Sequence, residues 1–183
     1  TVFKNPLKNH PSIIQKSSAH LIKLINDILS LAKMQNHKMV LDETEFNLQD
    51  EIKMVHTLLS EKAKEKKNEW RYRIGENLPA LVKGDAVKLN QVLLNLASNA
   101  LKFTENGRVD LDVQGIQNDK GEHILRFIVK DTGIGIAEEN VQKIFNEFEQ
   151  AENSTERKYG GTGLGLAITK YIVELMKGKI EVY

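Results

Sequence analysis

The sequence predicts an α+β protein: an α/β sandwich, in which a mixed sheet carries helices on one face, preceded by a separate helical segment. Three observations predict it. Between residues 11 and 36 apolar side chains recur at alternating spacings of three and four; after residue 40 strand-like and helix-like runs succeed one another without strict β-α-β alternation; and the polar, acidic stretch from Asn36 to Phe46 separates the two patterns.

With 183 residues the chain has room for one full domain and a smaller element. Lys and Arg total 26 against 25 Asp and Glu, a formal net charge of +1, which excludes a nucleic-acid surface working by bulk charge but allows a local basic site. Cysteine is absent, so disulfides, thiolate chemistry and cysteine-ligated zinc are excluded, and a reducing compartment suits the chain. No apolar run approaches the roughly 20 residues that span a bilayer, and no signal segment opens the chain, so a soluble protein is expected.

The first helix opens with Pro11 in its first turn and carries Ile14, Ser17, Leu21, Leu24, Ile28 and Leu31 as a heptad seam. Ile13, Ile25, Leu29 and Ala32 widen that stripe, which is read either as one member of a bundle built with another subunit or as an amphipathic helix packed on its own domain. A second unit begins near residue 40. Asn47 is placed to cap a helix with Leu48, Ile52, Val55 and Leu59 on one face, ending in the lysine-rich stretch from Lys62 to Lys67. Trp70 to Ile74 reads as a strand, Ala86 to Phe103 as a helix, and Val109 to Gln117 with Ile124 to Lys130 as a hairpin turning at Asn118 to Gly121. Helices are expected at Glu138 to Phe148 and Gly163 to Lys177, then a strand from Lys179.

Three stretches carry chemistry. On the helix from Ala86, Leu89, Leu93, Leu96 and Ala100 make the apolar stripe, while Asn95, Asn99 and Lys102 recur at helical spacing on another face. That row suits amide oxygen offered to a metal and ammonium to phosphate, or is simply a solvated face. Asp131 to Ile136 reads DTGIGI at a strand end: a carboxylate able to accept from an exocyclic amine such as adenine N6, beside glycines that permit close approach, or a tight Asx-type turn. Gly160 to Gly165 reads GGTGLG and leads into an apolar helix, presenting backbone amides and a helix N-terminus together to an anion. It is no P-loop, for no GK[ST] follows, and a charged loop stands where a Rossmann fingerprint needs a strand. Arg157, Lys158 and Tyr159 precede it directly, adding cations to the anion site.

In this order the three stretches resemble the N, G1 and G2 boxes of the histidine-kinase catalytic domain, within the GHKL ATPase superfamily. Residues 85 to 104, DAVKLNQVLLNLASNALKFT, resemble the N-box region, Asp131 to Ile136 the G1 box, Ile144 to Phe148 the F box and Arg157 to Ile168 the G2 box. Residues 21 to 34, LIKLINDILSLAKM, are similar to the second dimerisation helix of that family. The resemblance covers nearly the whole chain, and the ordered combination is far more specific than any one box. It implies a sandwich of the Bergerat type, with residues 1–40 as part of a dimerisation and phosphoacceptor hairpin and 41–183 as an ATP-binding catalytic domain missing its last strand.

The same resemblance implies ATP and Mg2+ as cofactors. Asn99 would ligate the metal, with Asn95 beside it and Lys102 contacting phosphates; Asp131 would bind adenine N6, and Gly133 and Gly135 would shape the base pocket. Gly161, Gly163 and Gly165 would let a lid fold over the triphosphate, with Arg157 or Lys158 supplying charge and Tyr159, Thr162 and Leu164 in the same nucleotide-binding segment. Phe145 and Phe148 would anchor the lid. The implied function is an ATP-dependent protein-histidine kinase core of two-component signalling, a homodimer through its hairpin that serves a response-regulator receiver domain. It would be cytoplasmic, reaching a membrane only through domains outside this chain, and would not bind nucleic acid.

Two departures stand out. Lys88 occupies a position where the family usually has arginine, a change that touches packing and polar contacts more than chemistry. The phosphoacceptor motif, histidine followed by an acid, is absent: His10 precedes Pro11, His20 Leu21, His37 Lys38, His56 Thr57 and His123 Ile124. This chain is therefore expected to bind ATP without phosphorylating itself. The alternatives are a non-catalytic nucleotide-binding regulatory module and a GHKL ATPase of the topoisomerase, chaperone or mismatch-repair type; the heptad helix and the IFNEF stretch speak against the latter.

Overall fold

A computed structural model describes residues 10–76, 78–117, 123–149 and 162–183. The chain divides between Met39 and Val40 into two compact units. The first holds helix α1 (His10–Gln35). Its apolar residues Leu21, Ile22, Ile25, Ile28 and Leu29 lie exposed at the spacing of one helical stripe. The helix stops at His37, which adopts the left-handed conformation (φ 52°) usually given to glycine. Lys38 N then donates to Lys33 O at 2.8 Å and His37 N to Met34 O at 3.0 Å, closing the last carbonyls.

The second unit opens with strand β1 (Thr44–Asn47) and helix α2 (Leu48–Glu65). Asn47 Oδ1 accepts from Gln49 N at 2.9 Å and Asp50 N at 3.3 Å, the expected cap, and Asp50 and Glu51 favour the positive end of the helix dipole. Strands β2 (Glu69–Ile74) and β3 (Leu81–Gly84) follow, then helix α3 (Ala86–Phe103), strands β4 (Arg108–Gln117) and β5 (His123–Asp131), and helices α4 (Glu138–Val141) and α5 (Gly165–Leu175). The predicted turn of the β4–β5 hairpin at Asn118 to Gly121 falls outside the described residues.

The main sheet has the order β2-β4-β5, with β2 parallel and β5 antiparallel to β4, so it is mixed. Trp70, Val109, Leu111 and Val113 point to one face, where they meet Leu48, Ile52, Val55 and Leu59 of α2 and Leu89, Leu93, Ala97 and Leu101 of α3. Each fully buried aliphatic side chain there contributes about 1.5–3 kcal/mol relative to exposure. The opposite face carries alternating charge, with Arg73 paired to Asp112 and Arg108 to Asp110 at 2.8 and 2.9 Å. Such exposed pairs add little stability and keep that face solvated. The expected sandwich, a mixed sheet with helices on one face, is the observed fold.

Three expectations differ from the structure, which also adds one pairing. β1 and β3 form a separate antiparallel ribbon, Thr44 opposite Gly84 and Asn47 opposite Leu81, which the sequence does not announce. Each has four residues, too few for alternation to register. The helix expected over Glu138 to Phe148 is one turn, α4, followed by a 3-10 turn at Lys143–Phe145. Neither has a side-chain cap or a buried residue, so nothing offsets the cost of a longer helix. The last helix is shorter than expected, starting after Gly163 (φ +71°) and ending before Lys177 (φ 59°), both in left-handed backbone. Residues 178–183 form no strand: the chain pairs there with no described strand, and Lys179 and Glu181 form a 2.6 Å ion pair with each other instead. The hydrogen bond and charge of Lys179, with Arg126 adding to them, hold the Glu181 carboxyl below its ordinary value.

Candidate functional site

Helix α3 is fixed at both ends, and that sets the site. At its start the buried Asp85 accepts from Lys88 N through Oδ1 (2.9 Å) and from Asp42 N through Oδ2 (3.0 Å), capping the helix and tying it to the chain leading into β1. At its end the buried Asn68 donates to Leu101 O (3.4 Å) and Thr104 O (2.8 Å) and accepts from Gly107 N (3.0 Å). Lys66 Nζ adds a bond to Lys102 O at 2.9 Å. The orphan carbonyls of the last turn are thus closed by the segment between α2 and β2.

With its apolar stripe on the core, α3 turns Asn95, Asn99 and Lys102 away from it. Asn95 Nδ2 donates to Thr169 Oγ1 of α5 at 2.8 Å. A Cβ added to Gly165 would lie 2.6 Å from Asn95 Oδ1, so a larger first residue of α5 would push that amide aside. Asn99, one turn on and half-buried, bonds to no described residue. Lys102 sets its ammonium 4.7 Å from the centroid of the Phe103 ring. The α5 N-terminus carries no side-chain cap, so among the described residues no capping group meets the amides of its first turn. Just before it, Leu164 is buried and donates its N–H to Thr162 Oγ1 at 3.1 Å.

At the far end of α3 lies the DTGIGI turn. Asp131 is the last residue of β5, and its Oδ1 accepts from Gly133 N at 2.8 Å, with Thr104 Oγ1 at 3.4 Å. Its Oδ2 accepts from no described residue. Thr132 exchanges bonds with Arg108, its N–H to the carbonyl at 3.1 Å and its Oγ1 from the N–H at 3.0 Å, and Ile134 N reaches Phe103 O at 3.4 Å. The turn is therefore lashed to the end of α3 and the start of β4. A Cβ on Gly133 would stand 2.5 Å from Phe103 O, whereas Gly135, at φ +72°, faces open space. The carboxylate is an acceptor, the α5 amides are donors, and the Asn99 amide is uncommitted: a donor set that fits a purine amine, an anion and a cation.

The structure thus joins Asn95 to Gly165 and brings Asp131 and Gly133 onto the end of the same helix. Arg157, Lys158, Tyr159 and Gly161 lie outside the described residues. The lid that Phe148 is expected to anchor lies largely outside the described residues; the Phe148 ring is exposed, its backbone is left-handed (φ 62°), and Gly163 packs against that backbone, 3.0 Å from where a Cβ would lie. Sequence reasoning passes over Asn68, Thr104 and Thr169. For Thr169 a signal exists, a hydroxyl inside the apolar run LAITKYI four residues after a glycine.

Residues 84–183, more than half of the chain, match the family model described as histidine kinase-, DNA gyrase B-, and HSP90-like ATPase. The chain belongs to this ATPase family. Every element of the site from the Asp85 cap to α5 lies within the matched residues. Over 170 residues the chain is 41% identical to hybrid signal transduction histidine kinase K of Dictyostelium discoideum, a match covering 89% of this chain and 14% of that protein. The full-length ShkA structure in complex with AMPPNP superposes with a TM-score of 0.78 at 33% identity, covering 97% of this chain and 35% of that one. Histidine kinase ThkA in complex with the response regulator protein TrrA superposes with a TM-score of 0.66 at 26% identity, covering 97% of this chain and 47% of that one. The expected kinship with sensor histidine kinases holds, and the chain spans well under two thirds of the length of the curated relatives it matches. Among its described residues no helix is long and apolar enough to cross a membrane.

Proposed function

We propose that the chain is the ATP-dependent catalytic core of a protein-histidine kinase of two-component signalling, with residues 41–183 as its nucleotide-binding domain. The observation that carries this reading is the alignment of three polar groups along α3: the uncapped start of α5 at Asn95, the unbonded amide of Asn99, and the Asp131 carboxylate at the far end. From Asn95 to Thr104 the helix rises about 13 Å, room for a base, a sugar and a phosphate chain laid end to end. ATP with Mg2+ would supply the phosphoryl group and the neutralisation of charge during its transfer.

On this reading Asp131 Oδ2 accepts from the exocyclic amine of adenine, and Gly133 and Gly135 leave the base room to enter beside it. The amides opening α5, with Thr162, Gly163 and Leu164 leading into them, hold phosphate oxygens, and Lys102 adds charge. Arg157, Lys158, Tyr159 and Gly161 complete the lid on the strength of their place in the sequence. Asn99 offers its amide oxygen to the cation; among the described residues no cluster of three or more acidic or histidine side chains could hold one alone, so the cation would be shared with phosphate oxygens. None of the five histidines precedes an acid, so these residues serve the nucleotide side of the reaction.

Asn99→Ala is expected to abolish the Mg2+ dependence of ATP binding while the protein stays folded. Titration of a fluorescent ATP analogue with and without Mg2+, with ATP and GTP as competitors, checks this. Equal competition by GTP, or unchanged metal dependence in the variant, would overturn the assignment.

The exposed stripe Leu21, Ile25 and Ile28 on α1 supports a homodimer through that helix, and the ThkA–TrrA likeness supports a response-regulator receiver domain as the phosphate acceptor. Ile25→Glu should convert a dimer to a monomer by light scattering. A wild-type chain already monomeric at micromolar concentration removes the dimer proposal.

A further inference from the structure

Thr169 is fully buried in α5, on a helix whose other buried residues, Ala167, Ile168 and Ile172, are apolar. A buried hydroxyl destabilises unless it is bonded, and the bond it has is to a residue of the proposed nucleotide site, Asn95 Nδ2 at 2.8 Å. On its other side the same carboxamide meets Gly165, where an added Cβ would lie 2.6 Å from Oδ1 and 3.1 Å from Nδ2. Residues 165 and 169 are one helical turn apart on one face, so the carboxamide lies flat along the first turn of α5.

A carboxamide presents two unlike ends, and turning it over exchanges an acceptor for two donors. We propose that Thr169 is a positioning residue of the nucleotide site, its hydroxyl fixing the Asn95 carboxamide along the first turn of α5 beside Gly165. This rests on the reading that α3 and the start of α5 bind ATP. The result is a division of labour at one helix end: α5 amides face phosphate, and an amide oxygen faces the cation or its water. Without the Thr169 hydroxyl the carboxamide loses the bond that anchors it to α5, and its oxygen is no longer held in place for the cation.

The test uses the whole chain and titrates the fluorescent ATP analogue with and without Mg2+. Thr169→Val, which keeps the volume and removes the hydroxyl, should lower affinity with Mg2+ by about fivefold to tenfold and flatten the metal dependence, as expected for one lost bond. Thr169→Ser should stay within about twofold of wild type, and in an Asn95→Ala background Thr169→Val should add nothing further. A Thr169→Val protein that loses stability but keeps wild-type affinity and metal dependence overturns the role, as does an equal loss of affinity with Asn95 removed. If the valine variant does not fold, Gly165→Ala displaces the same carboxamide and should flatten the metal dependence likewise; an unchanged dependence there also overturns the role. A wild-type chain that binds no nucleotide instead overturns the ATP reading, and with it the role of Thr169.

Discussion

Gly133→Ala should lower ATP affinity by about tenfold or more, a loss equivalent to roughly 1.4 kcal/mol or above. The added methyl would stand 2.5 Å from Phe103 O, 2.8 Å from Asp131 Oδ1 and 2.9 Å from Thr104 Oγ1. The first of these is backbone at the end of α3 and cannot rotate away, so the turn itself must shift and take the Asp131 carboxylate with it. Gly135→Ala supplies the contrast. Its position has no heavy atom within 4 Å but a φ of +72°, so alanine there strains the backbone without striking the site. Isothermal titration of both variants should show the large loss at Gly133 alone; wild-type affinity in Gly133→Ala would remove Asp131 from base recognition.

Asn68→Ala should destabilise the protein by about 3 kcal/mol, read from the urea midpoint at constant slope. The Asn68 side chain makes bonds to Leu101 O, Thr104 O and Gly107 N, and methyl replaces none of them. Two carbonyls and one N–H are then left in a place that water reaches poorly, since Thr104 and Leu101 are themselves buried. Asn68→Asp should do no better, because a carboxylate keeps the acceptor for Gly107 but turns negative charge on two carbonyl oxygens. A loss below about 1 kcal/mol would mean that the end of α3 closes by other bonds.

Much of this molecule is legible in its sequence because its longest elements carry their own signals. Helix α3 runs from Ala86 to Phe103 as its apolar stripe requires, and α2 begins at the Asn47 cap. In both, local propensity, capping and periodicity agree. The elements that escaped are those held by distant partners. β1 and β3 exist because they pair with each other, and α4 stops after one turn with none of its residues buried. The site divides the same way. Asn95, Asn99, Lys102, Asp131 and the glycines stand out by spacing, since helix face and turn chemistry are local. Asn68 and Thr169 act by hydrogen bonds across more than thirty residues of chain, and no window of sequence contains both partners.

The parallel pairing of β2 with β4 has a kinetic consequence. Glu69 lies opposite Arg108 only after the whole of β3 and α3 has been laid between them, so this ladder is a loop closure that local elements cannot anticipate. Asn68 sits at the neck of that loop, and its bonds to Thr104 and Gly107 form when the neck shuts. The polar row of α3 is thus oriented late, at the moment the loop is sealed. Trp70 is the chain's one tryptophan and lies in the ladder beside Val109, buried against α2. Its fluorescence during refolding should follow the sealing itself, and so should report when the chain becomes competent to hold a nucleotide.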